Sequence, residues 1–425
     1  GTTVAEANAN KSKVTVYVDG EVASSVTKNY VKVEALKATI NGNSKTVGYR
    51  YTLELTNFPK TRSSINYDRE YTDWSGNVSI KFGAGIVTDE GGTATDSNGN
   101  AITIEKNENA ETELQGDFID VVKPDITYKY VEDATNPTKS DINKTDKTFT
   151  MVFDMTDKFY DDSKSTALSI GDLTIKIDNK DVDWTKVSKS LSSTNITNTV
   201  KVTENGVVKS VTKVIGKSYT LKLLNLEQLQ VKQGDKYLDY SGVVTVVVPA
   251  SKMVDTSNNA NVAKTITSGI NIPGGTGTGK VVDVVDPLFE KVSSSADAIN
   301  KTATLNFKVT EKYFSTSTLT KDNIQIFING AETKSGLEVS LTKEDKQEER
   351  TVNNVTSTVT YGIDYTLTVT NFASDVKQVK VVIPQGVAKD QSGNGNKKTE
   401  FILYNTLINT SQEENANSGF LGSAS

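Results

Sequence analysis

One eleven-residue segment occurs three times in this chain with small changes. The copies are GYRYTLELTNF at 48–58, GKSYTLKLLNL at 216–226 and GIDYTLTVTNF at 362–372. Apolar and polar residues alternate through each copy, which is typical of a strand with one face in a core and the other in water. The glycine that begins each copy indicates a turn. Three copies of one strand predict three related domains in tandem.

Length and composition agree with this prediction. A chain of 425 residues corresponds to about three domains at roughly 150 residues each. It contains no cysteine and no histidine, which excludes disulfides, thiol nucleophiles, imidazole bases and the usual zinc and haem ligands. The net charge of −6 is spread over interspersed acids and bases, so nucleic acid is not an expected partner. No apolar run approaches the roughly 20 residues of a membrane span.

The remaining sequence is dominated by short runs rich in Val, Ile, Thr and Tyr. Examples are VTVYVDG at 14–20, LTIKIDN at 173–179, VVTVVVP at 243–249 and IQIFING at 324–330. Asn, Gly, Asp and Ser turns separate these runs, and no long helical pattern interrupts them. Many short strands with turns between them predict an all-β chain of β-sandwiches.

A second set of repeats marks the domain borders. DVVKP at 120–124 recurs as DVVDP at 283–287, and FTMVFDMTDKFY at 149–160 aligns with ATLNFKVTEKYF at 303–314. The segment PGGTGTG at 273–279 has the composition of a flexible linker. We therefore predict domains at 1–120, 121–272 and 284–408, a Gly-rich linker at 273–283 and a disordered tail at 409–425.

The first of these domains differs from the others. Its run at 14–20 corresponds to the runs at 173–179 and 324–330, which lie well inside their own domains. Nothing before Val14 resembles the strands that open the second and third domains. We therefore expect the first domain to lack its opening strands. Either the boundary cuts through a repeat, or another segment supplies the missing strand to an open edge.

A third repeated element closes each domain. It is VVVPASKMVDTSNNAN at 246–261, VVIPQGVAKDQSGNGN at 381–396 and, more loosely, TDSNGN at 95–100. In these loops the chain resembles the tandem bacterial immunoglobulin-like domains of cell-surface adhesins and surface-layer proteins, in which a similar loop precedes the last strand. The resemblance implies an elongated rod of three immunoglobulin-like sandwiches, located outside the cell on a bacterial surface or cell wall. It also implies calcium at the joints between domains.

In an antiparallel sandwich of seven strands, this loop lies at the pole where the first strand enters and the second strand ends. Carboxylates and amide oxygens should converge there, and calcium takes six to eight oxygen ligands. The predicted sets are Asp120, Asp125, Asp157, Asp255, Asn259 and Asn261 in one domain, and Asp283, Asp286, Glu311, Asp390, Asn394 and Asn396 in the next. The alternative interpretation is that these are ordinary turn residues, with Lys158 and Lys312 neutralising the acids.

Catalysis is not expected, because no phosphate-binding loop or nucleophile elbow is present and tandem repeats imply no cleft for paired carboxylates. We predict a structural or adhesive stalk segment of a larger bacterial cell-surface protein. One alternative is a self-assembling surface-layer or pilus-like subunit that exchanges strands at the first domain. Another is an accessory module array of a surface carbohydrate-active enzyme. Expected partners are neighbouring domains, further copies of the chain and a host or cell-surface ligand. Trp74 and Trp184 are either sugar-stacking platforms or half-buried packing residues.

Overall fold

The computed structural model describes residues 1–58, 74–226, 231–233, 236–238, 240–270, 278–297, 299–352, 354–373 and 376–405. Antiparallel strands make up most of these residues, which confirms the all-β prediction. The predicted disordered tail and the first part of the predicted linker lie outside the described residues.

The first segment, residues 1–120, begins with helix α1, Val4–Ala9, which is capped by a reciprocal Thr3–Glu6 capping box. A 3-10 turn follows at Lys11–Lys13. The strands are β1 Val14–Val18, β2 Glu21–Val22, β3 Thr27–Ile40, β4 Asn43–Thr56, β5 Gly76–Phe82, β6 Gly92–Thr95, β7 Ala101–Ile104 and β8 Thr112–Ile119. They form a sheet in the order β2-β1-β5-β8 and the two hairpins β3–β4 and β6–β7.

The second segment covers residues 121–282 and has short 3-10 turns at Pro137–Lys139 and Ile170–Asp172. Its strands are β9 Asp125–Tyr128, β10 Ile142–Asn143, β11 Thr148–Thr156, β12 Thr174–Ile177, β13 Lys180–Asp181, β14 Ser188–Glu204, β15 Val207–Leu224, β16 Val231–Gln233, β17 Lys236–Leu238, β18 Gly242–Val248, β19 Lys264–Thr267 and β20 Val281–Val282. One sheet has the order β10-β11-β15-β14, with β9 also on β11. A second has the order β13-β12-β18-β19, with β20 also on β18.

The third segment, residues 283–405, repeats this plan. Its strands are β21 Leu288–Asp297, β22 Thr302–Thr310, β23 Phe314–Ser317, β24 Gln325–Ile328, β25 Ala331–Glu332, β26 Glu338–Val352, β27 Val355–Thr370, β28 Gln378–Ile383, β29 Ala388–Asp390 and β30 Thr399–Asn405. The two larger sheets have the orders β21-β22-β27-β26 and β25-β24-β28-β30, and β23 pairs with β29.

Each segment has its own apolar core. One buried cluster draws its residues from positions 126–284, another from 289–403, and two smaller clusters from 7–119. Alternating strand residues supply these cores, as in β11, where Phe149, Met151 and Phe153 are fully buried. The end of the predicted flexible linker differs from expectation, because β20 pairs with β18 and Val282 lies in the second core.

The repeated segment owes two of its fixed residues to backbone geometry. Its asparagines, Asn57, Asn225 and Asn371, all have left-handed φ angles of 60°, 61° and 67°. Asparagine tolerates this conformation better than most residues, because its side chain can bond to nearby backbone. The asparagine therefore ends the strand in each copy.

The glycine that begins each copy marks a close approach of two backbones. A Cβ atom on Gly216 would lie 1.9 Å from the carbonyl oxygen of Met155, and one on Gly362 would lie 2.1 Å from that of Val309. In the first copy, the described atom nearest to a Cβ on Gly48 would be Leu36 Cδ1 at 3.9 Å. The glycine is therefore sterically required in the second and third copies, but not by the described residues around the first.

Replacement of Gly362 by valine should destabilise the third segment by about 3 kcal/mol or more, because the new side chain must push β22 away from β27. The matched Gly48→Val variant should lose less than about 1 kcal/mol, since the described residues leave the space around Gly48 open. Thermal unfolding of both variants checks this. Equal losses of stability would show that the glycine is required by its own strand and not by the close approach of the neighbouring backbone.

Candidate functional site

The predicted acids converge in two groups at the joints between segments. The first acidic cluster contains Asp120, Asp157 and Asp255, and the second contains Asp283, Glu311 and Asp390. Within each cluster, one carboxylate oxygen of each residue lies within 4.8 Å of the others. Asp120 is half-buried and the other five acids are buried. We call the contacts between the first and second segments the first joint, and those between the second and third the second joint.

Three elements of the fold bring the first acidic cluster together. Asp157 directly follows β11, Asp255 lies in the loop between β18 and β19, and Asp120 follows β8 of the first segment. The loop is held against the end of β11 because Thr256 N donates to Phe159 O at 2.9 Å. The second acidic cluster is built in the same way.

One asparagine in each loop ties the acid to the linker. Asn259 donates from its backbone and side-chain nitrogens to the two carboxylate oxygens of Asp255, both at 2.8 Å, and also to Asp120 O at 3.2 Å. Asn394 makes the corresponding bonds to Asp390, at 2.8 and 2.7 Å, and to Asp283 O at 3.1 Å. These asparagines belong to the clusters as positioning residues.

The other two predicted asparagines stabilise the loop itself. Asn261 donates from its side chain to Pro249 O and Val262 O, and its Oδ1 accepts from Lys252 N and Met253 N. Asn396 likewise donates to Pro384 O and Lys397 O, and its Oδ1 accepts from Ala388 N. Their amide groups are engaged in hydrogen bonds within the loop.

Two predicted ligands lie outside the three-carboxylate clusters. Asp125 pairs with Lys264 at 3.5 Å, and Asp286 pairs with Lys147 at 2.7 Å. Both pairs are partly exposed. Strand topology places these acids near the clusters, but the sequence does not show which way nearby lysines draw their side chains.

Each cluster holds three carboxylates close together and largely out of contact with water. Burial raises the pKa of Asp390, against the lowering effect of its hydrogen bonds from Asn394. Asp157 directly follows β11 and Glu311 directly follows β22. Each is preceded by a buried threonine, Thr156 or Thr310, whose hydroxyl has no hydrogen-bond partner among the described residues. Several acids in so little water favour either a shared proton or a bound cation.

The donor set of each cluster fits calcium. Three carboxylates supply hard oxygen ligands, and no nitrogen or sulfur ligand is among them. Asp255 and Asp390 each accept two hydrogen bonds from an asparagine, yet a carboxylate has about four lone-pair sites, so oxygen capacity remains. The three acids would hold the ion, and water or backbone oxygens would complete the six to eight ligands that calcium takes.

The lysine after Asp157 bonds across the first joint. Lys158 Nζ donates to Asp19 Oδ2 and to Ser75 O of the first segment, both at 2.7 Å. The Lys158 and Asp19 side chains are only 2% and 1% exposed. Asp19 Oδ1 also accepts from Asn77 N at 3.0 Å and Thr203 Oγ1 at 2.8 Å. This is a fully buried ion pair, which is rare unless its groups are well bonded.

The same contact recurs at the second joint with more water around it. Lys312 Nζ donates to Asp178 Oδ2 at 3.0 Å and to Ser241 O. Here the lysine side chain is 14% exposed and that of Asp178 is 44% exposed. Removal of one partner from an exposed pair costs little, whereas removal from a buried pair leaves an uncompensated charge, so we expect the first joint to depend more on its lysine than the second.

A serine connects each lysine contact to the acidic cluster. Ser75 Oγ donates to Asp120 Oδ1 at 2.8 Å, and Ser241 Oγ donates to Asp283 Oδ1 at 2.9 Å. This arrangement was not predicted, although the sequence carries a signal for it. The segments DWSG at 73–76 and DYSG at 239–242 precede equivalent strands, and Asp19 and Asp178 end equivalent runs. The corresponding positions of the third segment hold Asn329 and Val376.

Further contacts strengthen the first joint. The long hairpin β14–β15 reaches back to the first segment, where Lys201 pairs with Glu21 and Thr203 O accepts from Asn77 Nδ2 at 3.1 Å. The Phe118 and Phe159 rings meet edge to face, with 5.2 Å between centroids.

Both tryptophans are partly buried and pack against cores. Trp74 contacts the first-segment cluster, and Trp184 contacts the second core with Lys189 Nζ 4.2 Å from its ring centroid. This position is that of a packing residue, as one of the two sequence interpretations held.

A scan against protein-family models finds no match to this chain, and no curated protein matches it. Among the described residues, no helix combines the length and the apolar character needed to cross a bilayer. Function must therefore be inferred from the joints themselves.

Proposed function

We propose that this chain is a non-catalytic structural or adhesive segment of a bacterial cell-surface protein, built from three tandem immunoglobulin-like sandwiches. The observation that carries the proposal is that both joints have the same polar arrangement. A lysine donates to an aspartate and to a serine carbonyl of the preceding segment, and the hydroxyl of that same serine donates to the linker acid. Neighbouring domains move freely unless something fixes them. Dedicated joints are what a stalk needs to project its end.

Calcium belongs to this proposal. In each cluster one acid lies in the connection between two segments, and two lie in loops or at a strand end of the following segment. An ion held by all three would tie linker and domain together, and the adjacent lysine contact would tie that domain to the preceding one. The neighbouring domains are thus the main partners, and the proposed location is outside the cell, where millimolar calcium is available.

Small-angle X-ray scattering of the whole chain in calcium tests the proposal. The wild type should fit a single arrangement of the three segments. A Lys158→Met, Lys312→Met double variant should require an ensemble with a broader distribution of radii of gyration. The matched control is Lys346→Met, which breaks an ion pair with Asp364 inside the third segment. Wild-type scattering that already requires a broad ensemble would rule out a fixed array.

A second candidate is a self-assembling surface subunit that accepts a strand from another molecule. The observation that favours it is the outer edge of β4, where no strand of the described residues is paired. A stalk does not need this edge, so the two functions can be tested separately.

A further inference from the structure

In the part of the chain that the structure describes, the β4 strand has one neighbour where its equivalents have two. In the second segment β15 pairs with β14 on one side and β11 on the other, and in the third β27 pairs with β26 and β22. β4 pairs with β3, and within the described part of the chain no strand pairs with its other edge. An unpaired edge is a template for a further strand.

Burial shows what the second neighbour contributes. Leu221 and Leu223 of β15 and Leu367 and Val369 of β27 are 0% exposed. Their equivalents in β4, Leu53 and Leu55, are only partly buried, as is the repeat tyrosine Tyr51. The described residues therefore leave the apolar face of β4 half covered. The equivalent residues of β15 and β27 are fully buried.

Gly48 supplies a separate indication. Its equivalents, Gly216 and Gly362, are required because the backbone of β11 or β22 passes too close for a side chain. Among the described residues, that path beside Gly48 is open, with Leu36 Cδ1 at 3.9 Å as the nearest atom to a Cβ. Glycine inside a strand is otherwise unfavourable. Among the described residues, nothing beside Gly48 takes the place that the β11 and β22 backbones take beside its equivalents.

The other strand of this hairpin, β3, has backbone groups that are already hydrogen-bonded to a side chain. The Asn8 side chain of α1 accepts from Tyr30 N at 2.8 Å and donates to Tyr30 O at 2.9 Å, so it occupies the backbone groups of β3. A further strand is therefore accommodated along β4 and not at this position of β3.

We propose that Gly48–Thr56 of β4 binds one antiparallel strand of the β11 and β22 type, supplied by a separate polypeptide. In the register of β11, Phe149, Met151 and Phe153 would face the equivalents of Leu223, Leu221 and Tyr219. In β4 these equivalents are Leu55, Leu53 and Tyr51. Main-chain hydrogen bonds give such strand addition its affinity, and the alternating apolar residues give it specificity.

Charge on the outer face specifies the partner further. The β11 residue opposite Ser218 is Asp154, and Ser218 corresponds to Arg50 in β4. In β22 the same position is Lys308. Opposite charges across an antiparallel pair are favourable and like charges are unfavourable. The bound strand therefore carries an acid opposite Arg50, as β11 does.

Two synthetic peptides test the proposal, KTFTMVFDMTDKF (147–159) and KTATLNFKVTEKY (301–313), each with a fluorescent label, titrated with the whole chain. Fluorescence anisotropy should show binding of both, at least about threefold tighter for 147–159 because of Asp154. A 147–159 peptide with serine at its Phe and Met positions should not bind. The Gly48→Val chain should bind at least about tenfold more weakly, because its side chain occupies the path of the incoming backbone.

The matched control is Thr52→Val, which adds an apolar β-branched residue to the exposed face of the same strand and should leave binding unchanged. Equal binding to the Gly48→Val chain would overturn the proposal, since the peptide would then bind elsewhere. So would absence of binding by both peptides to a chain that sedimentation velocity shows to be monomeric, because the edge of β4 would then accept no strand of this type. Neither result depends on the stiffness of the joints, which scattering measures.

Discussion

Replacement of Lys158 by methionine is expected to destabilise the first joint by about 3–5 kcal/mol, because it leaves the Asp19 carboxylate buried without its cation. Methionine keeps much of the length and the apolar stem of lysine, so packing changes little. The loss is limited by the free energy that holds the two segments together, since Asp19 regains water if the joint opens.

Two tryptophans make this effect measurable in one segment at a time. Trp74 is adjacent to Ser75 in the first segment, Trp184 lies in the second, and the chain contains no other. In a Trp184→Phe background, the fluorescence change during denaturant unfolding therefore reports on the first segment. Lys158→Met should move this transition to lower denaturant, while a Trp74→Phe background should show the smaller response of the second segment.

The second joint provides the matched comparison. Lys312→Met removes the same contact where Asp178 is 44% exposed, and such a pair contributes about 0–1 kcal/mol. The double variant Asp19→Asn, Lys158→Met should recover part of the loss, since no buried charge remains. Similar small losses for Lys158→Met and Lys312→Met would mean that burial of the first pair has no energetic consequence.

Much of the fold follows from the sequence, because strand periodicity and the internal repeats are local signals. The triple repeat at 48–58, 216–226 and 362–372 predicted equivalent strands, and these are β4, β15 and β27. Asp157 and Asp255 were expected to meet, since an antiparallel sandwich forces their loops to one pole, and they do. The partner of Lys158 was not predicted. Asp19 is far from it in the sequence, and the choice between Asp157 and Asp19 depends on how two domains dock.

The same limit explains the other differences. Whether Asp125 joins an acidic cluster depends on the direction of one side chain, and this side chain pairs with Lys264. Gly48 has the sequence of its equivalents, yet only the structure shows that nothing described passes close to it. Local patterns specify which surfaces a segment offers, and the docked neighbours decide which of them are used.

Calcium is expected to reverse the sign of the stability change that two substitutions cause. With excess chelator, Asp157→Asn and Glu311→Gln should stabilise the chain, because each removes one of three clustered like charges. The new amide can still accept the bond from Phe159 N or Tyr313 N and donate to a neighbouring acid. With calcium the same variants should be less stable than the wild type, because they have lost a charged ligand.

The size of the calcium effect follows from mass action. Extracellular calcium modules have dissociation constants of about 10⁻⁴–10⁻³ M. Calcium at about 10 mM should then add about 1.4–2.7 kcal/mol per site. Thermal unfolding in calcium and in chelator, for the wild type and each variant, gives the difference directly.

The controls are acids at the same pole that lie outside the clusters. Asp125→Asn and Asp286→Asn change ion pairs with Lys264 and Lys147, so they should alter stability while leaving the calcium-minus-chelator difference as in the wild type. A wild-type difference near zero would identify the clusters as proton-sharing carboxylates within turns. A difference that survives in the Asp157→Asn, Glu311→Gln double variant would place any bound calcium elsewhere. Only the sign reversal, confined to the clustered acids, ties the ion to the joints, because general charge screening would affect Asp125 and Asp157 alike.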